Sequence, residues 1–387
     1  MLLTYFLFIG WYRQMKKVLI LITTVLTLSS FQIKSSAEPE ISAKSGIVIE
    51  YSTQTVLYSK NSEDILPMAS TTKIMTALIA AEIGTLSQSM TVSEKAASVD
   101  GSQLGLLAGQ TLTMEDLLYM MMLRSANDAA EVIAENLCGS TEKFTELMNK
   151  KATDLGCENT SFANVHGLPH SEHYTTAKEL AIIASEALKN ETVRKIVETK
   201  TKKLNYFGIV LENSNKLLKT YEYACGMKTG FTKAAGRCLV SSATKDGITL
   251  IAVTLNAPDD WNDHVKMLDF GFSRVSRWEA VEHGSYNTEI PTLNGDNKAK
   301  LINTQSLYGL AVDGKALDIK LKENIPKMLF APLEAGTTKG SLDIVINGRT
   351  FSSAPLAVSE TITEQYGEMG FLENLIYKFL CILCFDI

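Results

Sequence analysis

Short runs rich in apolar and β-branched residues lie near the start and the middle of the chain, with a helical pattern between them. Such runs, bounded by turn residues, predict strands at 46–51, 55–58, 238–243 and 248–255. Asp246-Gly247 joins the last two strands and is typical of a tight hairpin. From about Ser70 to Lys189, apolar residues recur at helical spacing. The pattern predicts an α+β domain over residues 38–283 whose first and last strands share a sheet.

The pattern changes after about residue 284. Short strand-like stretches are separated there by pairs of turn residues, Asn294-Gly295, Asp313-Gly314 and Asn347-Gly348. Many short strands with closely spaced turns indicate a small all-β domain, which we place at residues 284–358.

The beginning of the chain has the layout of a secretory signal peptide. Basic residues at 13, 16 and 17 precede the apolar run 18–28, and small residues follow at 35–37. Residues 1–37 are therefore expected to direct export and to be removed, with an uncleaved membrane anchor as the alternative. Met15 would be a more typical first residue than Met1.

The last segment, residues 359–387, is expected to be a membrane anchor. Between 371 and 387, apolar residues such as Leu372, Leu375 and Ile376 recur at helical spacing, while Lys378 lies on the other side. This pattern predicts an amphipathic helix that lies in the membrane surface. A helix packed against its own domain is the alternative.

The composition narrows the class of function. Of the 387 residues, 45% are hydrophobic and 21% are charged, which is typical of a globular protein. The formal net charge of −6 argues against a nucleic-acid partner, because such proteins usually carry a basic excess. The six cysteines show no spacing typical of a disulfide framework, so we expect mostly free or buried thiols.

Ser70 and Lys73 are the first candidates for chemistry. They are three residues apart at the start of an apolar-periodic helix that is expected to end near Gly84, so they lie on one face. A lysine one turn from a serine can take its proton if burial or a second cation lowers the lysine pKa. The Ser-x-x-Lys spacing alone is weak evidence, because Ser140 and Ser242 also begin such matches.

Two further segments strengthen the interpretation. Ser125-Ala126-Asn127 is predicted to form a short turn between two helices, the first of which begins with the start signal Thr113 to Asp116. Lys228-Thr229-Gly230 precedes the strand hairpin and is predicted to lie on a strand. A cation, a hydroxyl and a backbone without a side chain can bind a carboxylate at close range.

The three segments, in this order, resemble the penicillin-recognising serine enzymes. With Asn164-Val165-His166-Gly167-Leu168, the match is closer to the D-alanyl-D-alanine carboxypeptidases, the low-molecular-mass penicillin-binding proteins, over residues 40–275. The resemblance implies a β-lactamase/transpeptidase-like catalytic domain, with an antiparallel sheet and a helical cluster. The small β domain and the C-terminal helix are similar to that family's C-terminal parts. Ala126 and Val165 differ from the usual Gly and Pro, but neither change removes a reacting group.

The resemblance also implies roles for individual residues. Ser70 would attack the penultimate D-Ala carbonyl, Lys73 would take its proton, and Ser125 would relay a proton to the leaving amine. Asn127 would hold the substrate amide and orient Lys73. The remaining residues would contact the substrate. Lys228 and Thr229 would bind its terminal carboxylate, the backbone N–H groups of Ser70 and Phe231 would form an oxyanion hole, and Gly230 and His166 would complete the binding site.

The expected substrate is the peptidoglycan stem peptide, β-lactams are expected to acylate Ser70, and no cofactor or metal is implied. The enzyme would act outside the cytoplasm, at the membrane surface. D,D-endopeptidase activity on cross-linked peptidoglycan and a non-catalytic sensor of β-lactams or muropeptides remain alternatives. A β-lactamase is disfavoured because the only Leu-Asn between the second and third motifs has Thr201, not Glu, three residues before it. A zinc site at His166, His170 and His173 is disfavoured because Gly167 and Pro169 interrupt any helix.

Overall fold

The computed structural model describes residues 37–206, 208–295 and 298–363. Its residues from Pro39 onward belong to one compact unit. The predicted signal peptide, apart from Ala37, and the predicted helix over 371–387 lie outside the described residues. In the part that is described, no helix has the length and hydropathy needed to cross a membrane.

The described helices lie mainly between the first two and the last three strands of the central sheet. In chain order they are α1 (Lys73–Ile83), α2 (Glu94–Ala97), α3 (Met114–Arg124), α4 (Asn127–Cys138), α5 (Thr141–Asp154), α6 (Ala177–Lys189), α7 (Glu191–Glu198), α8 (Leu217–Thr220) and α9 (Asp260–Arg274), with a 3-10 turn at Ala69–Thr72.

The strands fall into an early group, a central group and a C-terminal group. In chain order they are β1 (Ser45–Glu50), β2 (Val56–Lys60), β3 (Ser89–Thr91), β4 (Thr111–Thr113), β5 (Thr201–Lys203), β6 (Val210–Glu212), β7 (Ala224–Thr232), β8 (Gly236–Lys245), β9 (Ile248–Leu255), β10 (Val275–Val281), β11 (Asn287–Leu293), β12 (Lys298–Asn303), β13 (Leu307–Val312), β14 (Lys315–Ala316), β15 (Lys320–Asn324), β16 (Leu329–Phe330), β17 (Thr338–Ile346) and β18 (Arg349–Val358).

A five-stranded antiparallel sheet with the order β2-β1-β9-β8-β7 organises the site-bearing part of the chain. Ser45 pairs with Leu255, so the first and last strands of this region are neighbours, as the sequence predicts. The β8–β9 hairpin turns at Asp246 and Gly247, whose φ angles of 51° and 74° suit a tight turn. β7, which carries Lys228-Thr229-Gly230, is an edge strand and is open on one side within this sheet.

Alternating side chains of the sheet bury both of its faces. Ile47 and Val253 belong to a hydrophobic cluster with α1, α3, α4 and α6. Val48 and Leu250 point to the opposite face, where they pack with residues of α9. The sheet is therefore the middle of a three-layer arrangement, with the helical cluster on the face that supports the site.

The C-terminal β-rich part contains a three-stranded sheet, β10-β13-β14, and a six-stranded sheet, β15-β17-β18-β12-β11-β16. The predicted turns occur at Asn294, Asp313 and Asn347, each with a φ between 52° and 59°. Leu301 of this part belongs to the same hydrophobic cluster as Met267 of α9, so the core continues past residue 283. The predicted domain boundary at 283/284 stays a prediction.

Four cysteines lie in the described residues, and all four are free. Cys157 and Cys238 are buried, whereas Cys138 and Cys225 are partly exposed. The prediction of free or buried thiols is thus confirmed for these four, while Cys381 and Cys384 lie outside the described residues.

Candidate active site

Ser70 and Lys73 lie where the 3-10 turn runs into α1. Lys73 is the first residue of the α-helix, so Ser70 precedes the helix and does not begin it. Lys73 Nζ is 3.0 Å from Ser70 Oγ, which confirms that the two side chains share a face. Ala69, directly before Ser70, has a φ of 47°, a conformation that non-glycine residues rarely adopt. The Thr72 hydroxyl donates to the Ala69 carbonyl at 2.8 Å and closes the turn.

The amine of Lys73 is buried among polar groups. Its Nζ is 2.7 Å from the side-chain oxygen of Asn127 and 2.7 Å from the backbone carbonyl of His166. The side chain is fully buried. Burial and the nearby charge of Lys228 hold the pKa of Lys73 well below its ordinary value, and the opposing effect of Asp128 is smaller. Both effects favour the neutral form of the amine, which is the form that can accept a proton.

The turn between α3 and α4 presents Ser125 and Asn127. Ser125 ends α3 in the left-handed conformation, with a φ of 63°, and Asn127 begins α4. Asn127 Nδ2 donates to the carbonyl of Asp100 at 2.7 Å, so the amide is oriented with its oxygen toward Lys73. Ala126 is fully buried with a φ of −61°, a conformation that does not require the glycine usual in the family motif.

The edge strand β7 brings the third segment against the turn that carries Ser70. Lys228 is buried and donates to the Thr229 carbonyl at 2.8 Å, and burial lowers the pKa of Lys228 to about 7. A Cβ atom on Gly230 would lie 3.0 Å from the backbone nitrogen of Ser70, so strand and turn are in close contact. The Phe231 side chain is 64% exposed at the rim.

The segment around His166 supports the turn from the other side. Gly167 has a φ of 94°, and a Cβ atom there would lie 2.0 Å from the Ala69 carbonyl oxygen. The His166 imidazole is buried and its Nε2 is 3.2 Å from Glu131 Oε1. His166, which the resemblance assigned to substrate binding, therefore reaches the site through its backbone carbonyl, while its side chain faces the protein interior.

The three histidines that suggested zinc have separate surroundings. His173 Nε2 is 2.7 Å from the Thr72 hydroxyl, and the N–H of Ala163 donates to its Nδ1. Burial lowers the pKa of His173 to about 3, so it supports the 3-10 turn that carries Ser70 as a neutral ring. His170 is exposed. No group of three or more His, Cys, Asp or Glu residues within the described ranges is arranged to hold a metal ion.

Sequence reasoning missed Glu131, the turn-supporting role of His173 and the contact of Gly167 with Ala69. Glu131 had a usable signal, because it is an acidic residue four positions after Asn127 within an apolar helical stretch. His173 had none, since its contact with Thr72 joins residues about a hundred positions apart.

A comparison with known protein families assigns the chain to one of them. The model of the peptidase S11 family, described as D-alanyl-D-alanine carboxypeptidase, matches residues 32–259, more than half of the chain. The chain belongs to this family. The resemblance in the motifs and the predicted fold class are thereby confirmed, and the protein is a serine-type D-Ala-D-Ala carboxypeptidase of the penicillin-binding class.

Individual carboxypeptidases are similar over most of the chain. The D-alanyl-D-alanine carboxypeptidase DacF of Bacillus subtilis is 36% identical over 360 residues, which cover 88% of this chain and 91% of DacF. The D-alanyl-D-alanine carboxypeptidase DacC of Escherichia coli is 30% identical, over 84% of this chain and 86% of its own length.

Solved structures agree with the family. Penicillin-binding protein 5 from Haemophilus influenzae is similar with a TM-score of 0.62 at 28% identity, over 85% of this chain and all of that chain. Penicillin-binding protein D2 from Listeria monocytogenes, in its ampicillin-bound form, has a TM-score of 0.57 at 28% identity and covers 61% of this carboxypeptidase and all of that chain.

Proposed function

We propose that Ser70 is the nucleophile of this carboxypeptidase and that Lys73 is its general base. The observation that carries the proposal is the set of three contacts around Lys73 Nζ. A neutral amine has two N–H donors and one lone pair. The two pure acceptors, the Asn127 amide oxygen and the His166 carbonyl, take the donors. The lone pair then faces the hydroxyl of Ser70 at 3.0 Å.

In the proposed reaction, Ser70 Oγ attacks the carbonyl of the penultimate D-Ala while its proton passes to Lys73. The backbone N–H groups of Ser70 and Phe231 stabilise the oxyanion. The tetrahedral intermediate collapses, the bond to the terminal D-Ala breaks, and Ser125 relays the proton from Lys73 to the leaving amine. Water then hydrolyses the acyl-enzyme, regenerates the serine hydroxyl and releases the shortened peptide.

Substrate selection is proposed to depend on the β7 edge. Lys228 and Thr229 bind the terminal carboxylate, and Gly230 allows this strand to lie against the 3-10 turn that carries Ser70. A charged Lys228 also disfavours a second charge on Lys73, which keeps the base neutral. A β-lactam places a strained amide at the same position, so ring opening by Ser70 forms an acyl-enzyme in which the cleaved amine stays attached to the acyl group.

The place of action is proposed to be the outer face of the cytoplasmic membrane, as the signal-peptide pattern of residues 1–37 and the amphipathic pattern of 371–387 suggest. Removal of residues 371–387 should then release the enzyme from anionic vesicles in a sedimentation assay without loss of activity. Equal sedimentation of the full and shortened proteins would contradict the anchor.

Release of D-Ala from diacetyl-Lys-D-Ala-D-Ala tests the proposed chemistry, with Ser70→Ala and Lys73→Ala as variants. Release by the wild-type protein and loss in both variants is the expected result. Penicillin labelling of Ser70 without D-Ala release would favour the sensor, or an endopeptidase if a cross-linked muropeptide dimer is cut. Labelling that persists in Ser70→Ala would refute the assignment of the nucleophile.

A further inference from the structure

Glu131 is a buried carboxylate that the proposed mechanism leaves without a role. It lies in α4, four residues after Asn127, so both side chains project from one face of the helix. It is 4% exposed. One oxygen accepts the hydroxyl of Thr141 at 2.6 Å and lies 3.5 Å from Lys95 Nζ. The other oxygen lies 3.2 Å from Nε2 of His166.

The hydrogen bonds of His166 define which nitrogen donates. The N–H of Leu168 donates to Nδ1 of His166 at 3.2 Å. A ring nitrogen that accepts a hydrogen bond carries no proton, so Nε2 carries the hydrogen and donates it to Glu131. Both ring nitrogens are thus engaged, and these two bonds fix the orientation of the imidazole.

The backbone of the same residue reaches the reacting groups. The His166 carbonyl accepts from Lys73 Nζ at 2.7 Å, and Asn127 accepts from the same amine at 2.7 Å. Asn127 and Glu131 are one turn apart on α4. One helix therefore holds both acceptors of the lysine amine, one directly and the other through the side chain of His166.

We propose that Glu131 is a positioning residue for acylation, which holds the His166 carbonyl where it orients the Lys73 amine toward Ser70. Glu131 touches neither the substrate nor the reacting atoms. Burial raises the pKa of the Glu131 carboxyl, but hydrogen bonds from His166 and Thr141 and the charge of Lys95 outweigh it and lower the pKa overall. The inference rests on the roles proposed for Ser70 and Lys73.

The test uses the full chain with the substitutions Glu131→Ala and Glu131→Gln, and measures the acylation rate constant with a fluorescent penicillin. We expect Glu131→Ala to acylate about 10- to 100-fold more slowly, because small misplacements of a base cost this much. Non-covalent binding should be unchanged. Glu131→Gln should stay within about 3-fold of wild type, since its carbonyl oxygen still accepts from His166 and its amino group can donate to Thr141.

Glu135 provides a matched control, because it is the same residue type one turn further along α4. Its carboxylate accepts from the hydroxyl of Ser93 at 2.6 Å, so Glu135→Ala should acylate at the wild-type rate. A double variant, Glu131→Ala with His166→Ala, should be no slower than the slower single variant if the two side chains act through one contact. Should Glu131→Ala fail to fold, Glu131→Asp replaces it, because the shorter side chain withdraws the carboxylate from His166. We expect its acylation rate constant to fall by at least about 10-fold.

Several outcomes would overturn the inference. Acylation of Glu131→Ala at the wild-type rate would exclude the positioning role. Equal losses of acylation rate in Glu131→Ala and Glu131→Gln, in proportion to their losses of thermal stability, would also exclude it. Losses that multiply in the double variant would show that the two side chains act independently. Acylation that persists in Ser70→Ala or Lys73→Ala would instead refute the proposed catalytic roles, so the two failures are distinguishable.

Discussion

The contact between Gly167 and the turn that carries Ser70 leads to the most specific prediction. Gly167→Ala would place a Cβ atom 2.0 Å from the Ala69 carbonyl oxygen, 2.3 Å from its carbon and 2.8 Å from the Ser70 nitrogen. All three neighbours are backbone atoms, which cannot rotate away as a flexible side chain could. The φ of 94° is also unfavourable for any residue with a Cβ atom, so an alanine would be strained there even without these contacts.

The size of the effect follows from these distances. Carbon and oxygen atoms in contact need at least about 3 Å, so the turn and the His166 segment must separate by about 1 Å. A displacement of about 1 Å at a reacting group lowers the rate by about 100-fold. The left-handed conformation costs an alanine about 1–2 kcal/mol, and overpacking adds about 1–3 kcal/mol to the loss of unfolding free energy.

The assay compares Gly167→Ala with Gly156→Ala in acylation by a fluorescent penicillin and in urea unfolding. Gly156 has a φ of 77°, and a Cβ atom there would meet no atom within 4 Å. Gly156→Ala should therefore lose about 1–2 kcal/mol of stability with unchanged acylation. If Gly167→Ala acylates within about 3-fold of wild type, or if Gly156→Ala loses as much activity, the close contact does not position Ser70 for acylation.

Three further predictions concern protonation and thiols. Burial lowers the pKa of Lys228 to about 7, so kcat/KM for the D-Ala-D-Ala peptide should fall as the pH rises through about 7. Lys228→Arg should move this fall to higher pH. If the fall stays at the same pH in Lys228→Arg, deprotonation of Lys228 does not cause it. Burial lowers the pKa of His264 to about 3, so the unfolded chain binds more protons between pH 6.5 and 3, and stability falls as the pH falls through this window. The loss of melting temperature from pH 7 to 5 should be smaller in His264→Gln, and an equal loss would contradict this. Native protein should react slowly with a thiol reagent at Cys157 and Cys238, whose pKa values burial raises to about 12 and about 11; rapid reaction of either would contradict the buried placement.

The sequence predicted the parts of this fold that depend on local signals. The β8–β9 hairpin was predicted from its turn residues, and the turn at Ser125 from the helices predicted on either side of it. The pairing of the first and last strands was predicted from the order of strands and helices along the chain. Ser70 and Lys73 share a face because helical spacing requires it. The start of α1 was placed three residues too early, because the stretch from Ala69 to Thr72 satisfies its hydrogen bonds as a 3-10 turn, which an apolar pattern does not distinguish from an α-helix.

The supporting contacts could not be predicted in the same way. Glu131 meets His166, and His173 meets Thr72, across elements that lie far apart in the chain. Nothing in the local pattern specifies which buried polar groups pair, because pairing depends on how the helical cluster packs on the sheet. The side chain of His166 shows this most clearly, since its motif suggests the substrate and its geometry turns the ring toward the interior.

The pairing of β1 with β9 limits how early the central sheet can form during synthesis. β1 needs a partner that is synthesised much later, and at about 5–20 residues per second the intervening roughly 200 residues take about 10–40 s to emerge from the ribosome. Throughout this interval the chain lacks β9, the middle strand of its sheet, and the helices lack the sheet face that they cover in the folded protein. Such long-range topologies fold slowly. The central sheet therefore cannot be completed until β9 has been synthesised, and the apolar residues that it buries stay uncovered until then.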